Sequence, residues 1–259
     1  MKPLPMITCG ILAAALALCA PPAEGARKGN RMDDQTTPSA LKEQKFTKRV
    51  SRTIELKYLL YLPEGYEKSR DAYPLVLFLH GAGERGDDLQ KVKTHGPPKL
   101  VEQGQQFPFI LVCPQCPEGT WWKMEPLTTL LDEVERKLRV DKTRIYVTGV
   151  SMGGYGTWEL AMTQPERFAA IVPICGGGRP WMAPLLKRVP VWAFHGAKDK
   201  VVLPRESEDM VNALKAAGGD AKLTIYPDAT HDSWSMTYTN PDVYAWMLDK
   251  VLSPAPREY

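Results

Sequence analysis

The chain has 259 residues, 44% of them hydrophobic and 24% charged, a balance that supports one well-buried core. Its 33 Lys and Arg against 30 Asp and Glu leave a formal net charge of only +3. The two signs are interspersed rather than gathered in blocks, which argues against a nucleic-acid partner.

The N-terminus carries Lys2, an apolar stretch from Ile7 to Ala20, then small residues and prolines up to Ala26. That pattern predicts a signal peptide over residues 1–26 and a secreted or periplasmic destination. The stretch is broken by Thr8 and Gly10 and falls short of the roughly 20 apolar residues of a membrane span. Lipid attachment at Cys19 is the alternative, although Leu18 fills a place where such signals carry a small residue. Residues 27–45 are polar and aperiodic, a predicted flexible lead-in, and residues 46–259 are predicted to form one folded domain.

In chain order, Ile54, Leu56, Tyr58, Leu60 and Leu62 alternate at period two and stop at Pro63, Glu64 and Gly65, which predicts a half-buried, antiparallel first strand. Continuous apolar runs follow at residues 75–79, 109–113, 145–150, 169–174 and 191–194, and a further strand is predicted at 223–226. Runs of this kind suit parallel strands buried on both faces. Between them lie helical repeats: Leu127, Leu130, Leu131, Val134 and Leu138 after Pro126, which suits a first helical position; residues 205–217, ending at Gly218 and Gly219; and residues 243–252. Strands alternating with helices predict a mostly parallel, doubly wound α/β sheet flanked by helices.

The run from strand 145–147 through Gly149, Val150, Ser151, Met152 and Gly153 into a helix is a GxSxG turn in its required setting. A serine hydroxyl is a poor nucleophile at neutral pH, so it needs a base and an acid that orients the base. Asp199, in a loop after strand 191–194, and His231, in a loop after strand 223–226, are the candidates. The sequence has four histidines. Of these, His80 and His195 each close an apolar strand before a glycine and read as loop-shaping residues, and His95 reads as a loop residue near the site or on the surface. Asp228 and Asp232 are rival acids, but each is close to His231 in sequence. An oxyanion needs two backbone donors: Met152 supplies one, and Ala82 or Gly83, in the run His80 to Gly86 after strand 75–79, supplies the other.

From about Ile54 to the C-terminus the chain resembles the α/β-hydrolase superfamily. The segments PLVLFLHGAGERGDD, PQCPEGTWW, GVSMGGYGTW, PICGGG and HGAKDKVV resemble bacterial secreted esterases related to dienelactone hydrolase and to carbohydrate esterase family 1. The resemblance implies carboxylic ester hydrolysis through an acyl-enzyme, with no metal or other cofactor. Its substrates would be carbohydrate-linked feruloyl or acetyl esters, or short-chain esters. The chain departs from dienelactone hydrolase itself in having serine where that enzyme has cysteine. A peptidase of the prolyl oligopeptidase kind and a non-catalytic carbohydrate-binding protein are the competing readings.

The segment from Gly176 to Arg188 is too short for a sizeable lid, so an open site is expected. Trp121, Trp122, Trp181 and Trp234 follow strands on the edge of the site, where they would stack on a sugar or a phenolic acyl group or simply pack the loops. Beyond the signal segment three cysteines remain. Pro114 and Pro117 hold the Cys113/Cys116 CxxC in a loop, unlike a redox motif, and a rim-bracing disulfide between Cys116 and Cys175 is expected. Glu84 and Arg85 read as an ion pair shaping the loop around Ala82.

Overall fold

The computed structural model describes residues 43–252, so the predicted signal peptide and most of the lead-in lie outside the described residues. The chain divides at Val50/Ser51 into two units. Of the first, residues 43–50 are described, exposed and without helix or strand.

The second unit is a seven-stranded sheet: β1 (Tyr58–Tyr61), β2 (Tyr73–Leu79), β3 (Ile110–Pro114), β4 (Val140–Val150), β5 (Ala170–Ile174), β6 (Val191–Gly196) and β7 (Ala221–Tyr226). The spatial order is β1-β3-β2-β4-β5-β6-β7. Only β1 runs antiparallel to its neighbour, pairing Tyr58 with Pro114 and Tyr61 with Leu111. The predicted doubly wound parallel sheet is thus observed, and the first strand has the predicted sense. It is shorter than its alternation suggests, because residues 54–57 make no ladder.

Among the described residues there are six helices, four between strands and two after β7: α1 (Gly96–Glu102), α2 (Met124–Lys137), α3 (Met152–Thr163), α4 (Arg205–Ala216), α5 (Trp234–Tyr238) and α6 (Pro241–Asp249). In β2, Leu75, Leu77 and Leu79 pack with Leu127, Leu131, Trp158 and Met210 on one face, while Val76 and Phe78 pack with Tyr238, Val243 and Met247 on the other. A strand covered on both sides has no polar face to alternate with, which is why its sequence is a solid apolar run. Helix α2 buries Leu127, Leu130, Leu131 and Val134, the predicted stripe, but starts two residues before Pro126. Pro126 still falls in the first turn, where backbone N–H groups lack helical acceptors, so it does no harm. Helix α6 begins earlier than predicted because Asn240 caps it, its side chain accepting from the amide of Asp242. Between β5 and β6 lies only a 3-10 helix, Pro180–Leu186, in agreement with the expected absence of a sizeable lid. Among the described residues no helix is long and apolar enough to cross a membrane.

Strand β2 lies between β3 and β4, so successive connections leave the sheet in opposite directions there. The crevice at the carboxyl ends of the strands therefore opens beside β4, the usual ligand position in such sheets.

Candidate active site

The turn between β4 and α3 is dictated by the room available to it. Ser151 sits at φ 54° and ψ −116°, a strained conformation for a residue with a side chain. Its amide donates to the carbonyl of Ile174 at 3.0 Å. A Cβ at Gly153 would overlap the Leu79 carbonyl oxygen, and one at Gly149 would lie 2.6 Å from that same oxygen. Gly154 and Gly176 press backbone to backbone. The glycines flanking the serine are therefore required by three converging main chains, which hold its hydroxyl out over the sheet.

Asp199 follows β6 and is buried, and its Oδ1 accepts from two amides, Val201 at 2.8 Å and Val202 at 3.1 Å. Its Oδ2 accepts from Nδ1 of His231 at 2.7 Å, and Nε2 of His231 lies 2.9 Å from Ser151 Oγ. Burial by itself raises the Asp199 carboxyl. The His231 hydrogen bond, the two amides and the charge of His231 outweigh burial and hold it below the usual carboxylate value. The acid and base loops are laced together: the amides of Ala197 and Lys198 donate to the carbonyls of Tyr226 and Ala229, each at 2.9 Å. A Cβ at Gly196 would overlap the backbone of Ala229 and Thr230. The rival acids are engaged elsewhere. Asp228 pairs with Lys198 at 2.6 Å, and Asp232 accepts from Ser235 at the start of α5.

Met152 opens α3, so its amide has no helical acceptor and projects from the positive end of the helix dipole. Ala82 opens a short 3-10 turn, Ala82–Glu84, after β2 and is exposed. That loop is tied down from outside it. Arg85 donates through Nε to the Ala82 carbonyl at 2.9 Å and through Nη1 to the Thr120 carbonyl at 3.2 Å. The buried Gln115 amide donates to the carbonyls of Glu84 and Asp88, both at 2.8 Å. Glu84 and Arg85 do not pair with each other as expected. Glu84 turns inward, 3.7 Å from Nε2 of His95 and 3.9 Å from Nδ1 of His80, because Arg85 is drawn outward by the two carbonyls.

His80 and His195 shape loops, as their positions suggest. Nε2 of His80 accepts from the Cys116 amide at 2.9 Å and its Nδ1 donates to the Gly81 carbonyl at 2.6 Å. Burial lowers its pKa from 6.5 to about 4, so the ring is neutral. His195 ties Ser207 to the Val202 carbonyl and lies 3.2 Å from Asp199 Oδ2, a proximity that its sequence position does not reveal.

The tryptophans divide into different roles. Trp122 is buried, with its indole N–H donating to the His80 carbonyl at 3.2 Å. Trp234 wedges between His95 and His231, with ring centroids 5.1 and 5.4 Å away. Trp121 and Trp181 are 60% and 75% exposed. The expected bridge between Cys116 and Cys175 is absent: Cys113, Cys116 and Cys175 are all free and buried. Cys116 follows β3 and Cys175 follows β5, and two strands lie between these, a separation of about 14 Å at the usual strand spacing. A disulfide needs Cα atoms within about 7 Å.

The dienelactone hydrolase family pattern matches residues 123–242, a segment that contains Ser151, Asp199 and His231. The bifunctional acetylxylan esterase/xylanase of Neocallimastix patriciarum is 28% identical over 186 residues, covering 67% of this chain and 26% of its own length. The probable feruloyl esterase C of Aspergillus terreus is 26% identical over 141 residues, covering 52% of each. The chain thus spans between a quarter and about half of these relatives. A solved thermostable esterase is 33% identical, with a TM-score of 0.65, over 76% of this chain and 59% of its own.

Proposed function

We propose that the chain is a serine carboxylic ester hydrolase of the α/β-hydrolase esterase family, working through an acyl-enzyme at Ser151; the dienelactone hydrolase family match, the feruloyl esterase relative and the thermostable esterase fold support this reading. The observation that carries this reading is the hydrogen-bonded line from Asp199 through His231 to Ser151, at 2.7 and 2.9 Å, with the serine held over the first turn of α3. Ser151 Oγ attacks the ester carbonyl while Nε2 of His231 takes its proton, and Asp199 fixes the tautomer and offsets the charge on the imidazolium. The amides of Met152 and Ala82 receive the oxyanion. His231 then returns the proton to the departing alcohol, and water, activated by the same base, releases the acid.

The substrates proposed are carbohydrate-linked feruloyl or acetyl esters, or short-chain esters, met outside the cytoplasm after removal of a signal peptide at residues 1–26. The short 3-10 connection between β5 and β6 leaves the cleft open to soluble and polymer-attached esters. A fluorophosphonate probe is expected to label Ser151. Ser151→Ala is expected to lower turnover of p-nitrophenyl acetate by about 10⁴-fold or more with the circular dichroism spectrum unchanged. Full activity in that variant, or faster cleavage of peptide amides than of esters by the unaltered chain, would overturn the reading.

A further inference from the structure

His231 is not the only imidazole beside Asp199. His195, next to last in β6, is fully buried, and its Nε2 lies 3.2 Å from Asp199 Oδ2, the oxygen that accepts from Nδ1 of His231 at 2.7 Å. The same Nε2 lies 2.9 Å from the Val202 carbonyl. Both of these neighbours are acceptors, so Nε2 carries the ring proton and donates to Val202 with the carboxylate alongside. Val202 thus meets both residues: its amide donates to Asp199 Oδ1 at 3.1 Å and its carbonyl accepts from His195.

On the far side of the ring, Nδ1 lies 2.8 Å from Oγ of Ser207, in the first turn of α4 and also fully buried. That hydroxyl lies 2.8 Å from the Gly176 carbonyl. Gly176 in turn packs on α3 so closely that a Cβ there would come within 2.6 Å of the Tyr155 amide nitrogen. A line of buried contacts therefore runs from Asp199 through His195, Ser207 and Gly176 to the helix that begins after Ser151, and it does not pass through His231. A ring with no exposed surface cannot touch substrate, so His195 acts on the reaction only through Asp199.

We propose that His195 is a positioning residue: its Nε2–H holds Asp199 Oδ2 in place for Nδ1 of His231, and with Ser207 it fixes the acid loop against α3. The assignment rests on the reading of Ser151, Asp199 and His231 as a catalytic triad. An N–H dipole beside Oδ2 also offsets part of the carboxylate charge, which weakens its pull on a protonated His231. Without that dipole the pull is stronger, so His231 keeps its proton to higher pH. Lys198 and Lys200 border the open space beside His231, Asp232 follows it in the chain, and the Tyr155 phenol and Cys175 thiol lie near Asp199. None of these is altered by a substitution at His195.

Two polar replacements separate the ends of the ring. The side-chain amide of His195→Gln reaches the place of Nε2, whereas that of His195→Asn reaches only the place of Nδ1 and leaves Asp199 without the donor. With active sites counted by fluorophosphonate titration, His195→Asn is expected to lower kcat on p-nitrophenyl acetate about tenfold with KM changed less than about twofold. It is also expected to move the acid limb of the kcat/KM profile up by about half a pH unit. His195→Gln should keep kcat within about threefold and leave the limb in place. Ser207→Ala, which keeps the imidazole but cuts its tie to Gly176, should lower kcat about threefold with the limb unmoved. Equal kcat and equal profiles in His195→Asn and His195→Gln, or full kcat in Ser207→Ala, overturn the positioning role while leaving the triad reading intact. Absence of fluorophosphonate labelling in the unaltered chain removes the triad reading, and the positioning role with it.

Discussion

The turn that carries Ser151 and the rim that carries Trp121, whose ring meets Tyr155 on the helix after that turn, obey opposite constraints. At the turn, three main chains meet so closely that a single added methyl group has nowhere to go. At the rim, Trp121 and Trp181 leave most of their surface in open space, Trp121 resting edge-on against Tyr155. The position of the Ser151 hydroxyl is thus set by backbone packing, which tolerates no variation. The exposed side chains of the rim can change without disturbing the sheet.

Breaking the rigid side should give the largest effects. Asp199→Asn is expected to lower kcat on p-nitrophenyl acetate by about 10⁴-fold, because an amide in that place favours the wrong tautomer of His231. A loss of less than tenfold would mean that the observed line of hydrogen bonds is not the working one. Gly153→Ala is expected to cost more than about 4 kcal/mol in chemical denaturation, since its methyl group would meet the Leu79 carbonyl. In the adjoining loop, nothing lies within 4 Å of a Cβ at Gly83, so Gly83→Ala is expected to change stability by about 0.5 kcal/mol or less.

The buried His80 yields a pH dependence of intermediate size. Its folded pKa of about 4 lies below its ordinary 6.5, so between those values the unfolded chain binds the extra proton. The contribution is complete above pH 6.5 and is lost as pH falls toward 4, about 3 kcal/mol in all. His80→Gln should flatten that part of the stability profile, and an unchanged slope would remove His80 as its source. The smallest effect is expected at the far rim: Trp181→Ala, at a side chain 75% exposed, should shift stability by about 0.5 kcal/mol or less.

The same contrast decides what the sequence reveals. The inner strands were legible because strands covered on both faces must be solid apolar runs, and Ser151 and Asp199 because each follows such a run. His231 follows the half-buried β7, which Lys222 and Thr224 interrupt, and was legible from its place after Asp199 in chain order. Helix α5 was not legible. Five residues, Trp234–Tyr238, carry too little periodicity to stand out, and the packing of Tyr238 against Phe78 from β2 settles their conformation. Nor was the clamp on the loop around Ala82, since Gln115 and Arg85 act through backbone carbonyls far away in sequence. Cys116 and Cys175 were misread for a related reason. Both follow strands at one edge of the sheet, but strand order, which decides their separation, is not written in chain order. Trp121 and Trp122 are neighbours with opposite fates, because the indole N–H of Trp122 finds the His80 carbonyl.

The three separate thiols bear on how the folded unit is reached. Burial pushes Cys175 up to about 12 and Cys113 and Cys116 also above the ordinary thiol value, so each is a poor partner for exchange. No oxidation step stands between the unfolded and the active chain among the described cysteines. Renaturation from guanidinium should therefore proceed equally well with excess dithiothreitol present, and the described cysteines should need no disulfide isomerase in a reducing or an oxidising compartment.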